Sequence, residues 1–143
     1  MKKLLLLVAL AAVGYHAQAQ KLSAAQVPAA AKATFKAQFP TVKTNTWEKE
    51  AGDFEASFTL HGAAMSAVIT PAGELKETET AVAVAQLPAA VQATLARDFK
   101  ACKITEAATL VSGAGITTYE AEVKQGGKSH DVLFSADGTV LKQ

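Results

Sequence analysis

The stretch Val27-Pro28-Ala29-Ala30-Ala31-Lys32-Ala33-Thr34 returns as Leu87-Pro88-Ala89-Ala90-Val91-Gln92-Ala93-Thr94, and both copies run on to a phenylalanine, Phe39 and Phe99. Each copy predicts a short helix with Pro at its first position, where the missing N–H costs nothing and the fixed φ is already helical. The large apolar residues are Val27, Phe35 and Phe39 in the first copy, with Ala31 between, and Leu87, Val91, Leu95 and Phe99 in the second. Steps of four keep them on one stripe, so each helix has one face to lay on an apolar surface. Lys, Gln, Thr and Arg fill the other faces, and Pro40 stops the first helix. Both helices are too short and too polar on one side to cross a membrane.

The duplication continues past the helices. Pro28 to Pro88 is a shift of 60, while Gly62 to Gly127 and Gly73 to Gly138 are shifts of 65. In the second register Phe54-Glu55-Ala56 lies over Tyr119-Glu120-Ala121, and Ala67-Val68-Ile69 over Val132-Leu133-Phe134. The extra residues fall around Ser112-Gly113-Ala114-Gly115, which is turn chemistry. Residue classes matching in one order at a nearly fixed shift indicate a tandem repeat of about 60 residues, longer than the usual solenoid periods.

After Pro40 the period changes from four to two. Val42 to Glu50 is β-prone. Phe54, Ala56, Phe58 and Leu60 alternate with Glu55, Ser57, Thr59 and His61, which predicts a half-buried strand. Ala64 to Thr70 and Glu74 to Thr80 follow across short turns. The second unit repeats this with Cys102 to Val111, Tyr119 to Lys124, Ser129 to Phe134 and Thr139 to Gln143. Asp137-Gly138 is the strongest hairpin signal, and turns this short make neighbouring strands antiparallel. The expected fold is α+β: two tandem units of one helix plus a four-stranded antiparallel sheet, in two layers. The two sheets are expected to join into one continuous sheet with both helices on one face. The expected divisions are a targeting segment over 1–19, a first unit over 20–80 and a second over 81–143.

The first segment has Lys2-Lys3, an apolar core from Leu4 to Val13 and the small-residue pattern Ala17-Gln18-Ala19, which together read as a cleavable export signal. The mature chain is then expected in the periplasm or secreted, with no membrane span after cleavage. Without Lys2 and Lys3, Lys+Arg falls from 14 to 12 against 13 Asp+Glu, a net charge of 12 − 13 = −1. Such a chain has no basic field to hold nucleic acid or an anionic membrane. Cys102 is the single cysteine, so no intramolecular disulfide forms and packing must supply the stability.

No catalytic constellation, metal site or cofactor motif is visible. His16 leaves with the signal, and His61 and His130 occupy non-equivalent repeat positions, too few for a zinc ligand set. Glu74, Glu77 and Glu79, and Glu120 with Glu122, lie at strand spacing, which reads as a solvated sheet face rather than an acid–base pair. No DxDxDG loop is present for calcium, Gly113-Ala114-Gly115 does not open a helix for phosphate, and no elbow motif presents a serine. Trp47 is the only tryptophan. Alternation cannot say whether it joins the core or stands on the open sheet face as a binding anchor.

The order xLPxxVxxxLxxxF, then Trp47-Glu48-Lys49 near the start of a sheet, then a DG hairpin, all repeated behind an export signal, resembles the PepSY-like family of small exported proteins, also described as β-lactamase-inhibitor-like. The resemblance rests on Val27–Phe39, Trp47–Lys49, Phe54–Phe58, Leu87–Phe99, Tyr119–Val123 and Asp137–Leu141 and covers the mature chain. It implies tandem helix-plus-four-strand units, an exported location and no catalytic residue. Where family members turn with a Pro-Gly-like pair after the second helix, this chain has Lys100-Ala101.

Together these readings predict a non-enzymatic binding module working through its open sheet face on a protein partner in the cell envelope. Its sharper form, from the resemblance, is an inhibitor or regulator of a periplasmic or secreted peptidase or β-lactamase. The candidate binding residues are Trp47, Glu55, Ser57, Thr59, Glu120 and Glu122. Such a face is expected to show apolar and aromatic side chains, and a face of Lys, Glu and Thr over a buried Trp47 speaks against it. The alternative is a structural or stress-related envelope protein binding a small ligand or cell-wall material. Exposed edge strands leave homodimerisation through sheet edges open.

Overall fold

The computed structural model describes residues 20–143, so the predicted export signal at 1–19 lies outside the described residues. The α+β expectation holds. Among the described residues two helices, α1 (Ala29–Gln38) and α2 (Ala89–Asp98), accompany nine strands. These are β1 (Gln20–Leu22), β2 (Asn45–Glu50), β3 (Asp53–Leu60), β4 (Ala63–Ile69), β5 (Leu75–Ala81), β6 (Lys103–Ser112), β7 (Thr117–Gln125), β8 (Lys128–Phe134) and β9 (Val140–Lys142). They form one sheet in chain order, every neighbour antiparallel. Short β1 pairs with β2 through Leu22 opposite Trp47 and is the one strand the sequence pattern does not announce.

Pro28 and Pro88 stand one position earlier than expected, as N-caps rather than first helical residues. Their ψ angles of 142° and 143° are extended, while their carbonyls already accept the first helical bonds from the Lys32 and Gln92 N–H groups. A single 3-10 turn precedes each helix. The Gln26 side-chain oxygen accepts from the Ser23 N–H at 2.9 Å, and that of Gln86 from the Ala83 N–H at 2.8 Å. Each turn thus satisfies its own leading donor in half a capping box.

Strand register places both helices on one side. Residues paired across adjacent strands share a face, and faces alternate along each strand. Trp47, Ala56 and Ala67 pair in a row that continues through Thr78 to Val111. Trp47, Ala56 and Ala67 pack with Val27, Ala31 and Phe35 around α1. Ala107, four residues from Val111 and so on the same face, packs with Leu87, Val91 and Leu95 around α2. The sheet therefore has a covered face and an uncovered one.

The two halves fill the covered side differently. Under α1, Phe35 meets Trp47 and Phe58 edge-on at centroid distances of 5.5 and 5.1 Å, and Phe39 lies 4.6 Å from Phe58. Such aromatic pairs add about 0.5–1.5 kcal/mol each beyond the area they bury. Under α2 the core is mostly aliphatic, built from Val91, Leu95, Val123 and Val132, with Phe99 6.2 Å from Phe134. Each fully buried side chain of this size contributes about 1.5–3 kcal/mol.

The turn after β4 and the turn after β8 press against the helices. The Thr34 hydroxyl donates to the Gly73 carbonyl at 2.6 Å, and Thr94 to Gly138 at 2.8 Å. Both glycines have φ near +85°, at 89° and 82°. A Cβ at Gly138 would stand 2.4 Å from the Ala90 carbonyl oxygen. Glycine is required there both by conformation and by space.

Candidate functional site

The uncovered face can be read row by row from the register. Lys21, Glu48, Glu55, Val68, Glu77 and Ser112 form one row across six strands. The next contains Thr46, Ser57, Ser66, Glu79, Leu110 and Thr118. Further toward β9 come Ala81, Ala108, Glu120, Leu133 and Lys142, then Glu106, Glu122 and Asp131. No described helix covers these rows, yet Glu55, Ser66, Glu79, Ala108 and Leu110 are buried. β5, the fifth of nine strands, carries the deepest of them, so Glu79 marks the floor of the face.

Glu79 is 2% exposed, and neither carboxylate oxygen has a hydrogen-bond partner. Its cross-strand neighbours, Ser66 and Leu110, bring no charge. The charges that act on it most are carboxylates: Glu120, Glu55, Glu77 and Asp131. Burial first, then this repulsion, pushes its pKa up to about 8, the behaviour of a carboxyl denied both water and a counter-charge. Burial likewise raises Glu120 to about 7, with Asp131 and Glu77 adding repulsion. It raises Glu50 to about 7, with Glu55 beside it. Glu55, 8% exposed, is raised by burial while a hydrogen bond from Ser66 pulls it back. Glu77 and Asp131 are also raised, chiefly by burial.

The predicted binding residues separate at this point. Glu55, Ser57, Thr59, Glu120 and Glu122 share the uncovered face. Ser57 and Thr59 are exposed, and Glu122 accepts a hydrogen bond from the Thr105 hydroxyl. Trp47 lies on the opposite face, 6% exposed among Phe35 and its neighbours, and is a core residue. The expectation of an apolar and aromatic open face is therefore corrected. The face is acidic, with Val68, Leu110 and Leu133 as its aliphatic patches. The reading of its carboxylates as solvated is corrected too, since Glu79 and Glu55 are buried among their cross-strand neighbours. Glu79 is the residue that alternation alone undervalues: the period shows its face but not the neighbours that bury it.

Among the described residues no three His, Cys, Asp or Glu side chains converge closely enough to hold a metal ion. No described helix is long and apolar enough to cross a membrane. Cys102 is half-buried with a free thiol.

The model of a family described as "Putative beta-lactamase-inhibitor-like, PepSY-like" matches this sequence twice, over residues 15–66 and 66–142. The chain belongs to the PepSY-like family. Solved structures of similar fold come from Bacteroides. One, from Bacteroides eggerthii and described as "putative periplasmic proteins", superposes with a TM-score of 0.75 at 20% identity, over 81% of this chain and 86% of its own. A DUF2874 family protein from Bacteroides uniformis gives 0.75 at 17% identity, over 81% and 87%. A BLIP-like protein from Bacteroides fragilis gives 0.68 at 21% identity, over 81% and 84%. Comparison with the curated proteins gives no match. At these identities the PepSY-like chain shares a fold with its neighbours, and its chemistry has to be read from its own face.

Proposed function

We propose that this PepSY-like protein is an exported, non-enzymatic binding module that holds a protein partner on its uncovered sheet face. The observation that carries the reading is Glu79: a buried carboxyl without a hydrogen-bond partner, at the floor of a face that no part of the described chain covers. Burying such a group costs stability, and nothing in the fold recovers that cost, whereas a partner on the face can. The units 20–80 and 81–143 belong to this reading as two halves of one platform, supported by the matching bonds from Thr34 and Thr94. In its sharper form the partner is a periplasmic or secreted enzyme, a peptidase or β-lactamase, that the face restrains.

The test is affinity capture from an envelope and secreted extract with the chain from Gln20 as bait. A second bait carries Glu55→Lys and Glu120→Lys, which reverse charge on the face. Circular dichroism checks that both baits are folded. One stoichiometric protein held by the first bait and lost from the second supports the reading. Equal capture by both places the binding surface elsewhere.

A further inference from the structure

We propose that the uncovered face takes a basic polypeptide segment, with one of its lysine or arginine heads seated over Glu79 among Glu55, Glu77 and Glu120. This rests on the binding reading above and names the chemistry of the partner. The face carries acidic side chains on β2, β3, β5, β6, β7 and β8, while its lysines stand at the margins: Lys21 and Lys142 on the first and last strands, and Lys103 opposite Lys124 toward the ends of β6 and β7. At its centre both oxygens of Glu79 lack a donor, and the charges acting on them most are carboxylates. An ammonium or guanidinium supplies both the donors and the counter-charge.

The layout selects the kind of cation. The carboxylates are spread along strands and across neighbours about 4.8 Å apart, and no three converge on a metal-sized point among the described residues. Such an array fits several cationic side chains spaced along one chain better than a single ion. Val68, Leu110 and Leu133 lie between the acids on the same rows. They give the aliphatic stems of Lys and Arg an apolar bed.

Seating a cation is coupled to a proton. Beside Glu79, β4 and β6 place Ser66, Val68, Leu110 and Ser112, which do not titrate, with Glu106 further along β6 beside Glu122. β3, β7 and β8 contribute Glu55, Glu120 and Asp131, and β5 itself Glu77. A carboxyl that holds its proton until about pH 8 must release it to solvent when the cation arrives, so binding tightens as pH rises.

The experiment is calorimetric titration of the chain from Gln20 with deca-lysine and deca-arginine at pH 6 and pH 8, in two buffers of different ionisation enthalpy. Deca-glutamate and calcium chloride are the comparison ligands. The expected result is saturable binding of a basic peptide, about ten-fold tighter at pH 8, with net proton release. Glu79→Gln should weaken it about ten-fold and abolish most of the proton release. Asp98→Asn, which removes the same charge from α2 in the helix layer, should change it less than about two-fold. Should Glu79→Gln fail to fold, Glu120→Gln serves, with an expected loss of about five-fold. Equal weakening by the face variant and Asp98→Asn would reduce the effect to net charge and overturn the proposal. So would saturable calcium binding lost in Glu79→Gln, which points to a metal instead. Failure of both basic peptides while capture stays face-dependent overturns the cationic chemistry alone; failure of both experiments overturns the binding reading with it.

Discussion

The Thr94 hydroxyl donates a hydrogen bond to the carbonyl of Gly138, 44 residues further along the chain, and so pins a hairpin turn to the flank of a helix. Thr34 makes the equivalent bond to Gly73 across 39 residues. The repeat is thus built into the tertiary contacts as well as the sequence. The two copies are not equally tight, and that difference is measurable. A Cβ at Gly73 meets the Ala30 carbonyl oxygen at 3.0 Å, against 2.4 Å for Gly138 and Ala90. At Gly52, with φ +94°, it meets nothing within 4 Å. Gly52→Ala should therefore cost only the left-handed backbone penalty, about 1–2 kcal/mol. Gly73→Ala should cost somewhat more, and Gly138→Ala most, because the turn must also leave the helix. Urea midpoints of the three variants give the order directly; equal costs would mean that the turn does not rest on α2.

Thr94→Val removes a hydroxyl whose bond is buried, leaving the Gly138 carbonyl without that donor. The expected loss is about 1–3 kcal/mol. Thr34→Val, at a half-buried position, should lose less. Denaturant melts of the pair check the ranking.

Trp47 should act as a reporter of the core rather than of the binding face. Its ring lies against Phe35 and is almost fully enclosed. Its fluorescence should be blue-shifted in the folded protein and move to the red on unfolding. Trp47→Ala should cost about 3–5 kcal/mol. Trp47→Phe should cost less and leave binding to the uncovered face unchanged. A change of Trp47 emission in the native protein on iodide addition would contradict this placement.

The acidic face predicts an inverted pH dependence. Glu79 at about 8, and Glu120 and Glu50 at about 7, all lie above the ordinary carboxyl value near 4.5. Between those limits the folded protein holds protons that the unfolded chain has released, so stability falls as pH rises from about 5 to about 8 and then levels off. Many proteins gain stability across the lower part of that range as their paired carboxylates ionise. Glu79→Gln should keep the shape, raise stability at pH 8 and flatten the slope. Urea midpoints at pH 5, 7 and 9 test the sign; a rising curve would contradict the burial of these groups.

The exposed ion pairs should matter little by comparison. Lys76 lies 2.7 Å from Asp53, and Arg97 from Asp98, but three of the four side chains stand well out in solvent. Lys76→Ala should leave stability nearly unchanged, and the small effect should shrink further in high salt. Thermal melts at low and high salt check it.

Much of this fold was legible because local and global signals agree. The four-residue steps from Val27 to Phe39 and from Leu87 to Phe99 mark helices whose apolar stripes are buried. The alternation in Phe54–Leu60 gives the right split, with Phe54, Ala56 and Phe58 toward the helices and Glu55, Ser57 and Thr59 away. β1 was not legible, since Gln20–Leu22 becomes a strand only by pairing with β2. The side taken by Trp47 was not legible either, because β2 mixes Thr46, Glu48 and Lys49 around it and either phase fits. Glu79 reads locally as one more polar residue in Lys76-Glu77-Thr78-Glu79-Thr80. Its burial depends on strands distant in sequence meeting in one sheet, with Ser66 on one side and Leu110 on the other, which no short window contains.

The account rests on Glu79 being buried and unpartnered on an uncovered face, and carbon-13 NMR of the glutamate side-chain carboxyls over a pH titration tests that most directly. Glu79→Gln assigns the resonance. The expected result is a carboxyl that titrates last, near pH 8, behind Glu120 and Glu50 near 7. A Glu79 that titrates near pH 4.5 would be a solvated or satisfied carboxylate, and the binding face built around it would have no foundation.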